Sequence, residues 1–223
     1  ADERCKRVFP VDKLEMGAVF AEDILPYRTR KVRILNGTHT MSVLAAYLCG
    51  FDIVRDMMND ELFSAYVMRG LEEIKSTIDL PSDELNAFAD SVTERFRNPY
   101  IDHKLQDISL NSISKFEARC LDTIRDYQKK NGVPPQILSF SLAALLAFYS
   151  HRGSDREYTV NDNESVLAFF KKAENFNNEN MVFAAMKELF SVDDDILYNV
   201  VLNNYNTICD KGMLFAVREA IYG

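Results

Sequence analysis

The sequence predicts a mainly α-helical, multi-helical domain, and three observations support this fold class. From about residue 37 onward, apolar residues recur at helical spacing almost without interruption. The 223 residues include only 8 glycines and 6 prolines, which leaves few sites for hairpin turns. A hydrophobic fraction of 47% and a charged fraction of 27% are those of a globular chain and exclude a disordered one. We therefore expect one helical domain over residues 37–223.

The leading segment, residues 1–36, is expected to be extended and to contain short strands. Its apolar runs, such as Ala18 to Phe20, are short and are broken by glycine and proline. Further along, Lys31 and Arg33 alternate with apolar residues, which is the spacing of a β-strand. This alternation predicts a short strand with both cations on one side, and the strand ends in a turn at Asn36.

The helices are predicted in chain order from caps, periodicity and stop signals. Thr38 can cap the first helix, and Asn59 opens the second. Pro81, followed by a serine and two acids, starts a third helix at the positive end of its dipole. Apolar residues from Ile113 to Ile124 mark a fourth helix, which Asn131 and the following glycine stop. The remaining helices are predicted over residues 139–149, 162–174, 178–190, 193–209 and 213–222, of which the first is nearly all apolar and is expected to be central and buried.

The charge balance excludes two classes of partner. Lys and Arg number 26 against 34 Asp and Glu, which gives a net charge of −8. A chain this acidic is a poor ligand for nucleic acid or for an anionic membrane, because both need a basic face. The longest apolar run, near Leu142 to Phe148, is too short to span a bilayer, and the charged N-terminus lacks the apolar core of a signal peptide. Together with four cysteines at no paired spacing, this favours a cytoplasmic setting.

The common catalytic and cofactor motifs are absent from the sequence. It contains no zinc-binding string, no Walker loop, no Gly-x-Ser-x-Gly and no Gly-x-Gly-x-x-Gly. We therefore expect neither a metal site nor a nucleotide motif within this chain. The acidic run Asp193 to Asp195 is interpreted as the cap of a helix. The pairs Glu72-Glu73 and Lys129-Lys130 are interpreted as solvated helix faces.

One segment stands out from the acidic background. Residues 28–33 hold four basic groups, and without them the rest of the chain has 22 basic against 34 acidic residues, or −12. A basic cluster of this density is a candidate anion site. Lys31 lies near the end of the predicted strand, and Asn36 and His39, three residues apart, share a face of the following helix. A lysine, an amide and an imidazole can then converge on one point; a plain surface cluster beside a helix cap is the alternative.

The string KVRILNGTHT, residues 31–40, resembles a signature of the mannitol dehydrogenase family of polyol-specific long-chain dehydrogenases. A lysine, an asparagine five residues later and a histidine three beyond it match the catalytic group of that family. The strings ERFRNPYIDHKL, residues 94–105, and SKFEARCL, residues 114–121, extend the resemblance over most of the chain. The threonine form of the first string is most similar to the tagaturonate reductase (altronate oxidoreductase) branch.

This resemblance implies an NAD-dependent oxidoreductase that acts on a CH–OH group of a sugar acid in hexuronate catabolism. Lys31 would be the acid/base, because burial and the charges of Arg30 and Arg33 favour its neutral form. Asn36 would donate a hydrogen bond to the developing oxyanion, and His39 would orient the substrate oxygen. Family members carry a Rossmann domain ahead of this region that binds NAD. The chain is therefore expected to be a C-terminal fragment, inactive without that N-terminal domain.

The substrate residues depart from the mannitol-specific pattern. Mannitol dehydrogenases place an arginine eight residues before a lysine; the lysine matches Lys115, but Asp107 stands at the arginine position. This departure fits an anionic sugar better than mannitol. We predict that Arg33, or else Arg30, binds the substrate carboxylate, because a guanidinium can hold a carboxylate by two parallel hydrogen bonds.

Two alternatives stay open from the sequence. The chain could belong to a fructuronate or mannitol dehydrogenase of the same family. It could also be a non-catalytic helical interaction module, in which Arg30, Lys31 and Arg33 bind an acidic partner. An interaction surface does not need the joint lysine, asparagine and histidine spacing, and this favours the enzyme.

Overall fold

The chain folds into a set of packed helices. The structure, a computed structural model, describes residues 3–14 and 20–223. Within these ranges the β-type pairing consists of one isolated antiparallel bridge between Ile53 and Lys104. The predicted mainly α-helical fold is therefore confirmed. The helical elements are α1 (Glu3–Val8), a 3-10 turn (Val11–Leu14), α2 (Leu25–Arg30), a first π-helical segment (Lys31–Gly37), α3 (Thr38–Leu48), α4 (Val54–Asn59), α5 (Glu61–Lys75), α6 (Ser82–Phe96), α7 (Leu105–Ile108), α8 (Ser112–Phe116), a second π-helical segment (Glu117–Leu121), α9 (Asp122–Asn131), α10 (Gln136–Tyr149), α11 (Glu164–Ala173), α12 (Asn178–Glu188), α13 (Asp195–Lys211) and α14 (Met213–Tyr222).

Helix α10 lies at the centre of the fold and packs against α13, α3 and α5. Thirteen of its 14 residues are buried, all except Gln136. A helix that is apolar on every side can bury all of its faces only if other helices surround it. The predicted central, buried helix is thus confirmed.

The N-terminus of α10 is capped from a distant part of the chain. Pro135 precedes the helix and supplies no capping side chain. Instead the Glu73 carboxylate, from α5, accepts hydrogen bonds from the backbone N–H groups of Ile137 at 2.8 Å and Leu138 at 3.0 Å. Burial raises the pKa of Glu73, while these N–H groups act in the opposite direction. The interpretation of Glu73 as a solvated residue was therefore wrong.

Other boundaries follow the predicted signals closely. Helix α3 ends at Leu48, shortly before Gly50, which has a positive φ of 97° that glycine adopts without strain. The side chain of Asp60 caps α5, one residue beyond the predicted start. Asp194 accepts hydrogen bonds from the N–H groups that open α13, so the acidic run is a helix cap, as predicted.

The predicted strand and turn before residue 37 were wrong. Residues 25–48 form one uninterrupted helical stretch, and the boundary residues Arg30 and Gly37 both have helical backbone angles. Pro26 lies in the first turn of this stretch, where proline is favoured because its missing N–H is not needed. The described parts of the leading segment are thus short helices joined by irregular residues, and the domain boundary predicted after residue 36 falls within a helix. The apolar run at Ala18 and Val19 lies outside the described residues.

The two π-helical segments pack against each other at Gly37. The Cys120 thiol donates to the Gly37 carbonyl at 3.7 Å. A Cβ atom at Gly37 would lie 3.3 Å from the backbone oxygen of Arg119, which is tighter than an ordinary contact. The absence of a side chain at this position therefore permits the close approach of the two segments.

Candidate functional site

Lys31, Asn36 and His39 lie on one helical stretch, and the first π-helical segment brings them to one side of it. In an α-helix, residues five apart are separated by about 140° around the axis. In a π-helix the hydrogen bond joins residues five apart, so Asn36 follows Lys31 by about one turn on the same side. His39 follows three residues later, at the start of α3. The extra residue of the π-helix thus aligns three side chains that a regular α-helix would separate.

The His39 side chain is half-buried, and its imidazole is held against an aromatic ring. It stacks on Phe96, with the ring centroids 4.0 Å apart. It also packs edge-to-face with His103, with the ring centroids 5.4 Å apart. Burial, together with the neighbouring His103, Arg119 and Lys115, lowers the pKa of His39 to about 3. Its Nε2 atom is buried and has no hydrogen-bond partner among the described residues. At neutral pH this ring is therefore neutral and has a ring nitrogen available for a ligand.

Two cations lie one helical turn apart beside His39. Lys115 donates to the backbone oxygen of Ile108 at 2.9 Å. The Nη1 atom of Arg119 donates to the hydroxyl of Thr40, the residue after His39, at 3.1 Å. Burial lowers the pKa of both side chains, and the Arg119 charge lowers that of Lys115 further. Within the described ranges neither cation has a carboxylate within ion-pairing distance.

The structure places Lys31 at the surface. Its side chain is exposed and has neither a hydrogen bond nor an ion pair within the described part of the chain, and Asn36 is half-buried. The burial expected around Lys31 is therefore not provided by the described residues. In a helix, residues two apart point to opposite sides, so the predicted placement of Arg33 on the same side as Lys31 was wrong.

The two predicted carboxylate-binding arginines are engaged with acids of this chain. The Nη2 atom of Arg33 lies 2.5 Å from Asp126, and its Nη1 atom donates to the Thr77 hydroxyl and carbonyl at 3.0 and 3.1 Å. Arg30 pairs with Glu84 and stacks over the Phe88 ring at 4.5 Å. The role of these two arginines in binding the substrate stays a prediction. Lys115, the third predicted substrate-binding residue, lies close enough to His39 for its charge to lower the pKa of the imidazole.

Sequence reasoning missed Arg119, His103 and Phe96 as neighbours of His39. One signal was available. Lys115 and Arg119 are like charges at a spacing of four residues, which destabilises a helix unless an anion offsets the repulsion. Phe96 and His103 come from α6 and the loop that follows it, so only the tertiary fold reveals their contact with α3.

Neither a metal nor a nucleotide has an evident site in this part of the molecule. Residues 3–14 and 20–223 contain no group of three or more His, Cys, Asp or Glu that could hold a metal ion. The sequence offers no glycine-rich loop for a phosphate group. No described helix is both long and apolar enough to cross a membrane. A cavity of about 480 Å³ lies at the C-terminal end of α10, beside Tyr149, Tyr158 and Tyr205, but none of the predicted site residues lines it.

The lowered pKa of His39 predicts a loss of stability in acid. Below about pH 6.5 the imidazole takes up a proton in the unfolded chain, while in the folded chain it stays neutral down to about pH 3, so protons favour unfolding in this window. Near about pH 4.5 the effect amounts to at most about 3 kcal/mol. We expect His39→Asn to remove this part of the pH dependence of the free energy of unfolding, measured by urea denaturation. Parallel curves for the two proteins between pH 6.5 and 3 would contradict the lowered pKa of this half-buried ring.

A family profile and the most similar curated relatives agree on one protein family. The sequence profile of the mannitol dehydrogenase C-terminal domain matches residues 23–209. Altronate oxidoreductases of Shigella flexneri serotype 5b and Escherichia coli O7:K1 are each 39% identical to this chain over 220 residues, which cover 93% of the chain. The match covers 46% of each relative, so the chain spans about half the length of these proteins.

Solved structures share the fold. A Pseudomonas fluorescens mannitol 2-dehydrogenase, solved as a ternary complex with NAD and D-mannitol, superposes with a TM-score of 0.81 at 21% identity and covers 92% of this chain and 43% of that one. A D-sorbitol dehydrogenase in substrate-free form gives a TM-score of 0.75 at 22% identity and covers 88% of this chain and 41% of that one. At these identities the similarity establishes the helical architecture alone.

Proposed function

Because the chain belongs to the mannitol dehydrogenase C-terminal domain family, we propose that it is the catalytic and substrate domain of an NAD-dependent tagaturonate reductase (altronate oxidoreductase). The observation that carries this proposal is the alignment of Lys31, Asn36 and His39 on one side of a helix by the π-helical segment. The 39% identity to altronate oxidoreductases supports the choice of substrate. The reaction interconverts a keto-uronate and the corresponding hydroxy acid in the cytoplasm.

Lys31 handles the proton in the proposed reaction. During reduction its ammonium group gives a proton to the carbonyl oxygen of the substrate, and during oxidation the neutral amine takes that proton back. The side chain is exposed in this chain, so a second domain that covers it would supply the water-free surroundings that favour this exchange.

Asn36 and His39 position the reacting oxygen. The amide of Asn36 donates a hydrogen bond to the negative charge that develops on the oxygen as the carbonyl is reduced. His39 stays neutral at physiological pH because of its lowered pKa, so it acts as a hydrogen-bond partner and not as a charged acid. The Phe96 ring fixes the plane of the imidazole.

NAD does not fit the residues of this chain. The sequence lacks the glycine-rich turn that brings a backbone close to the pyrophosphate of a dinucleotide. The nicotinamide supplies the hydride chemistry, and we assign its binding mainly to an N-terminal Rossmann domain, in keeping with relatives about twice as long. On this proposal the isolated chain neither binds NADH tightly nor reduces a sugar.

The proposal is tested by NADH oxidation in the full-length protein with tagaturonate, fructuronate and fructose in parallel. We expect kcat/KM to be highest for tagaturonate. A preference for fructuronate or fructose would assign the chain to a sister dehydrogenase. If none of the three supports NADH oxidation, the interaction module becomes the better reading of the same basic residues.

A further inference from the structure

We infer that Arg119 binds the carboxylate of the sugar-acid substrate, in place of the Arg33 or Arg30 suggested by sequence. This inference rests on the proposed function, because it concerns how the same site distinguishes a uronate from a neutral sugar. Three independent features of Arg119 support it: its lack of an acidic partner, its position beside His39 and the geometry of its free donors.

Arg119 differs from the other half-buried arginines of the described chain. Five arginines there are half-buried, and four of them form ion pairs. A cation that is removed from water without an opposite charge is costly, so an unpaired half-buried guanidinium calls for an anionic ligand. The four paired arginines and their partners are Arg30 with Glu84, Arg33 with Asp126, Arg55 with Asp102 and Arg156 with Asp52.

The acids that come near this region are occupied elsewhere. Asp122, one turn after Arg119, pairs with Arg125 at 3.1 Å. Asp162 exerts a weak attraction on Lys115 but accepts a hydrogen bond from the Tyr149 hydroxyl. Arg119 therefore forms no ion pair within the described residues, and its charge acts on His39 together with that of Lys115.

Arg119 has the donors that a carboxylate requires. A guanidinium carries five N–H donors in a planar fork, and the hydrogen bond from Arg119 to another side chain in the described residues is the one to Thr40. This bond ties the guanidinium to the residue after His39, whose pKa the Arg119 charge lowers. It leaves further N–H groups for two parallel hydrogen bonds to a carboxylate. A neutral ketose has no group that matches this fork.

The test compares Arg119→Met with wild type in the full-length enzyme, with tagaturonate and fructose as substrates. We expect KM for tagaturonate to rise about 10- to 100-fold, the loss typical of a hydrogen bond to a charged group. The kcat value should change less, and kcat/KM for fructose should change by less than about threefold. A second readout is competitive inhibition. Inhibition by altronate, which carries a carboxylate, should be weaker in Arg119→Met than in wild type, whereas inhibition by the corresponding neutral hexitol should be unchanged.

Three further variants make the result specific. Arg119→Lys keeps the charge but loses the planar fork, so it should fold even if the methionine variant does not and should still raise KM for the uronate several-fold. Arg218→Met removes an exposed arginine of helix α14 and should leave both substrates unaffected. Arg33→Met tests the residue suggested by sequence.

The outcomes separate this inference from the proposed function. A wild-type enzyme that reduces no keto-uronate contradicts both. If wild type reduces tagaturonate but Arg119→Met weakens uronate and ketose equally, Arg119 supports the fold and the inference is wrong. The inference also fails if Arg33→Met, and not Arg119→Met, produces the uronate-selective loss.

Discussion

Lys31→Ala in the full-length enzyme is expected to lower kcat/KM for the keto-uronate by several orders of magnitude without unfolding the protein. Removal of a positioned acid/base alone costs about 10²- to 10⁴-fold. The variant also loses the positive charge that stabilises the developing oxyanion, which adds to the effect. Because Lys31 is exposed and makes no described hydrogen bond or ion pair, its truncation should leave the melting temperature nearly unchanged.

Two companion variants decide what the lysine does. Lys31→Arg keeps a positive charge but cannot release its proton near neutral pH, so it should be almost as inactive as the alanine variant. Arg28→Ala removes another exposed cation one turn earlier in the same helix and should retain wild-type turnover. Near wild-type activity in Lys31→Ala would return this residue to the status of an ordinary surface charge.

Glu73→Ala is expected to destabilise the helical fold substantially, because it removes the cap of α10. The substitution leaves the N–H groups of Ile137 and Leu138 without their acceptor at the start of the most buried helix. Each unsatisfied buried donor costs about 1–3 kcal/mol, so we expect about 2–6 kcal/mol for the two. Calorimetric melting of the full-length protein should show the transition of this domain shifted downward.

The adjacent acid provides the control for this experiment. Glu72 is exposed and pairs with Lys75 at 2.7 Å across one helical turn. Exposed pairs of this kind contribute little, so Glu72→Ala should cost less than about 1 kcal/mol. Equal losses for the two alanine variants would show that the Glu73 carboxylate does not cap α10.

The sequence predicts the helices well because their signals are local. Pro81 with its following acids starts α6, and the all-apolar stretch over 139–149 can only be central. The strand at Lys31 was predicted wrongly because two cycles of alternation are too few to distinguish a strand from a helix. The role of Glu73 depends on a helix more than sixty residues further along the chain, which periodicity cannot reveal.

In the candidate site, too, the local spacing can be predicted from the sequence and the long-range contacts cannot. The spacing of Lys31, Asn36 and His39 is visible in the sequence, but an α-helical projection would place these side chains apart. Sequence reasoning grouped them through a strand at Lys31 that the structure does not contain, and through the resemblance to a known family. The isolation of Arg119 from any acid depends on where every other carboxylate lies in space. A charge count along the chain cannot supply that information, since Asp122 is only three residues away.

The first π-helical segment makes the site depend on how this turn is wound as well as on its side chains. A π-helical turn holds one residue more than the α-helical turn it replaces. If the same residues wound as a regular α-helix, Lys31 would rotate by about 100° relative to His39 and would leave the side of the helix that the imidazole occupies. Every reacting side chain would survive such a change. Removal of one residue along with the change to an α-helix would restore the alignment, because residues four and seven apart share one face of an α-helix. The winding of this turn is therefore as much a determinant of the reaction as the identity of its residues.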